Sequence, residues 1–345
     1  MNKNITIKNY DISICIPSYN RPEKLNRLLK SIDCNSLLSF EIVICEDHSP
    51  KRNEIREVVE EYKKNVDYDI HYIENTRNLG YDGNIRKLIT VSSGVYIIYM
   101  GDDDMFVPGE LDTYIKFLNS NTELGYVLRS YKNVNNNGQE EKFLYYPEVK
   151  FFDAGKRSYV ELFRKSVFIS GFTFKRELAL STLTTKFDGT LLYQLYILAE
   201  ICLNYPSAAY NKSITQGVIE EKDFYFGASE AEKEFRVPGK ITLKGEVKFI
   251  NSFVCIAEFI DDKYNIRSKD DILVDMSKYS YPMISSIRNQ GLREFLKYVA
   301  ELRKIGLGCT VYFYVYVLGL IIFGESNCRR IIKSIKKILG KTPVL

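Results

Sequence analysis

Among its seven cysteines the chain has no C-x-x-C pair and no other spacing typical of zinc, which argues against a thiolate metal site. An odd cysteine count, with several inside apolar runs, reads as reduced thiols of a cytoplasmic protein rather than a disulfide framework. No G-x-G-x-x-G and no G-x-x-x-x-G-K-S/T loop is present, which excludes a Rossmann dinucleotide site and a P-loop. The net charge is only +4 over 345 residues, so bulk electrostatics does not announce a nucleic-acid binder. The opening MNKNITIKNYD lacks an apolar core of signal-peptide length, and export is not expected. Repeats of solenoid period and low-complexity linkers are also missing. What remains is a chain suited to one large domain plus an extension, or to two domains. Its 26 tyrosines and 20 phenylalanines are enough for a sizeable core.

The first half alternates short apolar runs with amphipathic stretches. Ile12–Pro17, Phe40–Cys45, Ile70–Ile73 and Val95–Met100 read as strands, and Tyr126–Tyr131 as a further one. Between them, Leu25, Leu28, Leu29 and Ile32 recur at helical spacing, and Asn20 and Pro22 suit the start of that helix. Residues 54–64, 84–91 and 109–118 read as further helices. This β-α-β-α order predicts an α/β fold with a mostly parallel central sheet.

In such a sheet the strand ends gather polar residues at one edge. The first strand ends at Pro17-Ser18-Tyr19, the second at Glu46-Asp47, and the fourth at Asp102, Asp103 and Asp104. Ligands of open α/β sheets bind outside the carboxyl ends of the strands. Hard oxygen ligands in a tight cluster suit Mg²⁺ or Mn²⁺, which can in turn hold a diphosphate. A tyrosine face can stack on a base, and a carboxylate can accept from a base N–H or a ribose hydroxyl. Together these describe a pocket for a nucleoside diphosphate. The competing reading of the aspartates is a solvated acidic turn, and nothing in the neighbouring sequence offers them a basic partner.

The motifs I-P-S-Y-N-R at 16–21, Glu46-Asp47, R-N-L-G at 77–80 and G-V-Y-I-I-Y-M-G-D-D-D at 94–104 occur in that order. In this arrangement, residues 11–118 resemble the family-2 glycosyltransferases of the GT-A fold. The resemblance implies a nucleotide-diphosphate sugar donor, a divalent metal (Mn²⁺ or Mg²⁺) and single displacement with inversion. By position, Pro17, Tyr19 and Arg21 resemble the nucleotide-binding first loop, and Asp47 the carboxylate that contacts the base. Asn78, Gly80 and Arg86 join this donor set, although Asn78 and Gly80 also read as a simple turn and Arg86 as facing either donor or solvent. Asp102, Asp103 and Asp104 resemble the D-x-D region; Asp103 and Asp104 are assigned to the metal and Asp102 to the donor. The usual pattern has an aspartate where Gly101 stands, and G-x-D-D is similar to a subgroup that includes abequosyltransferase-like enzymes of O-antigen assembly.

Residues 119–235 are expected to form the acceptor half of a transferase domain covering 1–235, whose nucleotide half is 1–118. NVNNNGQ at 133–139 reads as a hairpin turn, Tyr159–Lys165 as a helix and Phe168–Phe174 as an alternating strand. A base is needed to take the acceptor's proton. The family's Glu-Asp pair is not recognisable. Asp188, ahead of a helix at Leu191–Cys202, stands where it would fall and is the candidate base; its alternative role is to support that helix electrostatically.

From 236 to 345 a helical region is expected, with apolar helical spacing at Lys244–Asp262 and Leu292–Leu302. Ile305–Phe323 then runs nineteen residues without a charge, at the lower limit for a membrane span, with Arg303-Lys304 before it and Arg329-Arg330 after it. Cys328–Leu339 is basic and amphipathic. A helix lying on an anionic leaflet is expected, with a buried helix closing the globule as the alternative. The sequence thus predicts a peripheral enzyme at the cytoplasmic face of the plasma membrane. Its acceptor would be an undecaprenyl-diphosphate-linked glycan of surface polysaccharide, capsule or O-antigen synthesis. A nucleotidyltransferase-like enzyme, or an inactive glycan- or membrane-binding module on the same fold, are the alternatives. Sugar, nucleotide base and oligomeric state are left open.

Overall fold

Ile12, Ile14 and Ile16 point to one side of the first strand, β1 (Ile12–Ser18), and Cys15 to the other; none of the four is solvent-accessible. A strand covered on both faces reads as a continuous apolar run, which is why it was legible. The computed structural model describes residues 10–34, 39–135, 140–219, 226–234 and 236–339. After β1 come α1 (Pro22–Lys30), β2 (Phe40–Glu46), α2 (Arg52–Lys63), β3 (Asp69–Glu74), α3 (Gly80–Val91) and β4 (Tyr96–Tyr99). The four strands pair in parallel in the order β3-β2-β1-β4. One core lies on the face of α1, α2 and the later helix α4 (Glu110–Ser120), built on Ile14, Ile44, Ile98 and Leu111. The other takes Cys15, Cys45, Ile97 and Tyr99 against α3. Asn20 does not cap α1: it sits in the left-handed region at φ 62°, and Arg21 holds the N-cap position.

Beyond β4 the sheet becomes mixed. β5 (Met105–Phe106), β6 (Tyr126–Asn135), β7 (Glu140–Phe143), β8 (Lys150–Phe152), α5 (Lys156–Phe163), β9 (Phe172–Lys175), α6 (Arg176–Leu180), α7 (Tyr193–Asn204) and β10 (Ser207–Ile219) complete it. The full order is β3-β2-β1-β4-β9-β6-β10-β5, with β9 antiparallel to both neighbours and β10 parallel to β6. β7 pairs antiparallel with β6, and the expected turn residues 136–139 lie outside the described residues. The Phe168–Phe174 reading is corrected: only Phe172–Lys175 joins the sheet, and the preceding residues leave it as a loop. The sequence reading did not foresee β10. Its register shifts between Tyr210 and Ser213 and again before Thr215, and such bulges break the alternation that marks a strand.

α7 is buried along nearly its whole length and has no side-chain cap of its own. The cap comes from α3: Asp82 accepts from Leu191 N at 2.9 Å and Tyr193 N at 3.0 Å. Burial pushes the Asp82 carboxyl up to about 7, against those two N–H groups. Five helices follow: α8 (Leu243–Tyr264), α9 (Lys269–Lys278), α10 (Tyr281–Ser285), α11 (Leu292–Ile305) and α12 (Val311–Leu339). Lys263 and Tyr264 at the end of α8 both bond the buried Glu200 of α7, at 2.6–2.7 Å. The uncharged 305–323 run is not one helix. Gly306, at φ 101°, ends α11, and a single 3₁₀ turn precedes α12.

Where α3 returns into β4, Gly94 donates its N–H to Ser13 Oγ at 2.7 Å. A Cβ there would stand 2.6 Å from both Ile12 C and Ser13 Oγ. Gly94→Ala is therefore expected to lower stability by about 1–3 kcal/mol, the range of overpacking, measured by urea unfolding. A loss of only a few tenths would show that this contact is soft.

Candidate active site

The loop after β1 crosses the carboxyl edge of the sheet and reaches the acidic turn after β4. Tyr19 N donates to Asp102 Oδ2 at 3.0 Å, and Arg21 Nη1 donates to Asp102 Oδ1 at 2.9 Å while standing 3.1 Å from Asp103 Oδ2. Arg27, one helical turn further on, donates to the Asp103 carbonyl at 3.0 Å. The cations that the aspartates lack locally are thus delivered from the opposite end of the domain.

The three aspartates take different environments. Asp102 is buried, and burial pushes it up to about 6 although Arg21 opposes the shift. Asp103 keeps 41 % of its side chain exposed. Asp104 is buried, accepts from Ser170 Oγ, and is pushed up to about 7 by burial and by the Asp103 charge. Gly101 holds open a small cradle between them. A Cβ there would meet Asp103 Oδ1 and Ser170 Oγ at 3.1 Å and Asp104 Oδ2 at 3.4 Å. An aspartate at 101 would crowd this space.

That donor set fits a hard divalent cation of the Mg²⁺ type, which takes one or two protein carboxylates and completes its shell with phosphate oxygens and water. Among the described residues no cluster of three or more acidic, histidine or cysteine ligands is formed. The fit therefore rests on Asp103 and Asp104, with Asp102 turned away toward Tyr19 and Arg21.

Asp47, beyond β2, accepts from Asn75 Nδ2 at 2.6 Å and Leu79 N at 2.8 Å. Burial raises its carboxyl to about 6, against those bonds. Asn78 Oδ1 accepts from Gly80 N at 2.9 Å and shapes the entry to α3. Gly80, at φ 75°, is required there: a Cβ would also stand 2.9 Å from Glu232 Oε1. Glu232 in turn accepts from Tyr81 N and Gly227 N, each at 2.8 Å.

These residues line one cleft of about 690 Å³. Its polar end is formed by Pro17, Tyr19, Arg21, Lys24, Asp47, Asn78, Gly80, Asp102 and Asp103; its apolar wall by Val167, Phe168, Ile169, Val218 and Phe226. Val167, Phe168 and Ile169 of the wall belong to the loop before β9, held by the fully buried Arg129, which donates to the Phe168 and Ser170 carbonyls at 2.7 Å.

The structure places Arg86 and Asp188 outside the lining of the cleft. Arg86 donates to the Thr184 carbonyl at 3.2 Å and pairs in bidentate fashion with Asp188. Both Asp188 oxygens are thereby paired with a cation, and the pair fastens the segment before α7 to α3. Arg86 follows the R-N-L-G motif by sequence, but it lies on the side of α3 that meets the segment before α7 and Tyr193. Sequence reasoning missed Lys24 and Glu232, both of which line the cleft. Lys24 follows directly from the first loop; nothing local marks Glu232, which arrives from a loop beyond β10.

A parallel sheet with a tyrosine loop, a buried carboxylate and an acidic turn at its carboxyl edge, extended by a mixed half, has the GT-A fold. Residues 13–178 match the profile of Glycosyl transferase family 2. The chain is 31% identical over 113 residues to abequosyltransferase RfbV of Salmonella typhimurium, covering 33% of this chain and 34% of the relative. Similarity also extends to the GalNAc(5)-diNAcBac-PP-undecaprenol beta-1,3-glucosyltransferase of Campylobacter jejuni, 26% identical over 108 residues, 31% of this chain and 34% of that one. The matched segment thus spans about a third of the length of these relatives. The mannosyltransferase PcManGT of Pyrobaculum calidifontis, solved with GDP-Man and Mn²⁺, superposes with a TM-score of 0.50 at 13% identity, over 92% of this chain and 88% of that one. At that identity the likeness concerns the fold.

The raised Asp47 carboxyl carries a pH prediction. Below about 6 it is neutral and ceases to be a charged acceptor. Affinity for a nucleoside diphosphate, measured by calorimetry, is expected to fall as the pH drops from the neutral range through that value. Asp47→Asn is expected to weaken neutral-pH binding about tenfold, the loss of one charged hydrogen bond, and to flatten the profile. An unchanged profile in the variant would remove Asp47 from the site. For folding the sign is reversed: the raised carboxyl favours the native state below its ordinary value of 3.8, and this contribution is lost as the pH rises through about 6.

Proposed function

We propose that the protein is a glycosyltransferase that moves a sugar from a nucleotide-diphosphate donor to a hydroxyl of a lipid-diphosphate-linked glycan, in the assembly of a bacterial surface polysaccharide such as O-antigen or capsule. The observation that carries the reading is the single cleft onto which Tyr19, Arg21, Asp47, Asp102 and Asp103 open together from three different strand ends. The undecaprenol-linked acceptor named for the Campylobacter relative supports the acceptor class. In this reading residues 1–235 form the transferase domain, with its nucleotide half at 1–118, and 236–345 a helical extension.

The residues divide the work. Tyr19 offers its ring to the base and Asp47 accepts from a base N–H. Asp102 fixes the first loop and faces the ribose; Asn78 and Gly80 shape the floor. Asp103 and Asp104 would hold Mn²⁺ or Mg²⁺, which supplies neutralisation of the charge that gathers on a leaving diphosphate. Arg21 and Lys24 add fixed positive charge beside the same oxygens. The apolar wall of Val167, Phe168 and Ile169 excludes water from the sugar, so that transfer is favoured over hydrolysis. Glu232 takes the place of Asp188 as candidate base: it lines the cleft, stands outside the expected donor set, and among the described residues is bonded by two backbone N–H groups, one on each oxygen, rather than by a cation. A base on the face opposite the leaving group gives single displacement with inversion.

Three variants test this assignment. Asp103→Ala is expected to remain folded, to lose turnover, and to lose most of the Mn²⁺-dependent part of nucleotide affinity, read by calorimetry with UDP, GDP, CDP and dTDP. Glu232→Gln is expected to reduce kcat by roughly 10²–10⁴, the usual contribution of general base catalysis, with donor affinity little changed. Asp188→Asn is expected to lower thermal stability yet retain kcat. The reverse pattern, an active Glu232→Gln and a folded but inactive Asp188→Asn, would restore the base to Asp188.

A further inference from the structure

α12 has apolar residues on both of its faces. Phe313, Val317 and Leu320 are buried against the preceding helices. On the opposite side, Val311, Val315, Leu318 and Ile322 follow at helical spacing and are 69%, 59%, 57% and 61% exposed. Tyr312, Tyr314 and Phe323 flank this stripe, each exposed by 45% or more. No charged side chain interrupts it between Lys304 and Glu325. A soluble surface helix would carry polar residues there, so the stripe lacks a partner.

Charge identifies the partner. Between 305 and 345 the sequence holds six basic residues, Arg329, Arg330, Lys333, Lys336, Lys337 and Lys341, and one acidic residue, Glu325. Glu325 is buried and paired with Arg329, and Arg329 and Arg330 are exposed, so the sequence after Gly324 adds no exposed acidic side chain to its cations. A second copy is a poor fit. Pairing along the stripe would set this basic segment against either its own copy or the Arg303-Lys304 end, and like charges facing each other oppose association. An apolar stripe with cationic flanks matches the boundary of an anionic bilayer, where acyl chains take the apolar side chains and headgroups the cations.

Length decides between lying on the membrane and crossing it. By length and composition Val311–Ile332 passes as a candidate span. However, Gly324, at φ 71° and ψ 174°, breaks the helix. The part before the break, residues 311–324, is about 21 Å long at 1.5 Å per residue, short of a hydrocarbon core of about 30 Å. Its inner face is already occupied by protein.

We propose that the Val311–Ile322 stripe of α12 docks in the plane of an anionic phospholipid surface, with the basic segment after Gly324 on the headgroups. This does not depend on the assignment of the cleft. The test is co-sedimentation of the full chain with vesicles of phosphatidylcholine alone or containing phosphatidylglycerol. Binding is expected to the anionic vesicles, weakened by salt. The double variant Leu318→Glu/Ile322→Glu and the charge reversal Arg330→Glu are each expected to reduce it at least about tenfold. All three side chains are exposed, so the variants should keep the parent melting temperature and its nucleotide affinity; that affinity judges the cleft separately. Absence of binding to anionic vesicles overturns the proposal, as does binding that the double variant leaves intact. Concentration-dependent self-association that the double variant abolishes, without vesicle binding, overturns it in favour of a second copy.

Discussion

Asp102 accepts a backbone N–H from Tyr19 and a guanidinium N–H from Arg21, and this clamp joins the ends of β1 and β4 into one site. The carboxylate is buried, where an unpaired charge is costly, and the clamp supplies its compensation. In return it fixes the loop between β1 and α1, whose Asn20 is held in the left-handed region. Tyr19 and the outer Asp103 are brought together by that fixed loop, whereas Asp47 is held separately by Asn75 and Leu79. Without Arg21, Asp102 and Asp103 would lose the guanidinium they share.

A second tier of contacts keeps the far side of the cleft in place. Arg129, fully buried, holds the wall loop by two carbonyls, and its charge also opposes the rise of Asp104. Asp82 plays a comparable part for α7, and the Arg86–Asp188 pair fastens the segment before it. The Asp82 and Arg86 contacts join the parallel half to the mixed half. The mixed half is thereby a wall built onto the parallel half, and the helices from α8 onward pack behind α7 and end in the apolar stripe of α12.

The parts of the fold that were legible from sequence are those where local pattern and tertiary environment agree. β1, β2 and β4 are buried on both faces, so their composition alone betrays them. β10 is as long as any strand in the sheet, but its bulges scramble the alternation, and β9 is a short piece of an apolar run most of which serves as loop. Among site residues, Tyr19, Asp47 and the aspartates could be placed because each directly follows a recognisable strand. Arg86 and Asp188 could not, because which way a helix face or a loop carboxylate points depends on what packs against it. Glu232 had no local signal at all.

By itself the sequence determined the succession of elements, the edge at which the polar residues gather, and the presence of a long uncharged run followed by basic residues. Periodicity and burial are properties of neighbouring residues, and the chain writes them in order. The tertiary structure alone decided that the cation for Asp102 comes from Arg21, 81 residues away. It also decided that Asp188 is tied to Arg86 instead of standing free, that Glu232 closes the cleft, and that α12 shows an apolar face to solvent. Each of these is a contact between segments far apart in the chain, and the pairing of such segments is set by the packing of the whole domain, which no local pattern records.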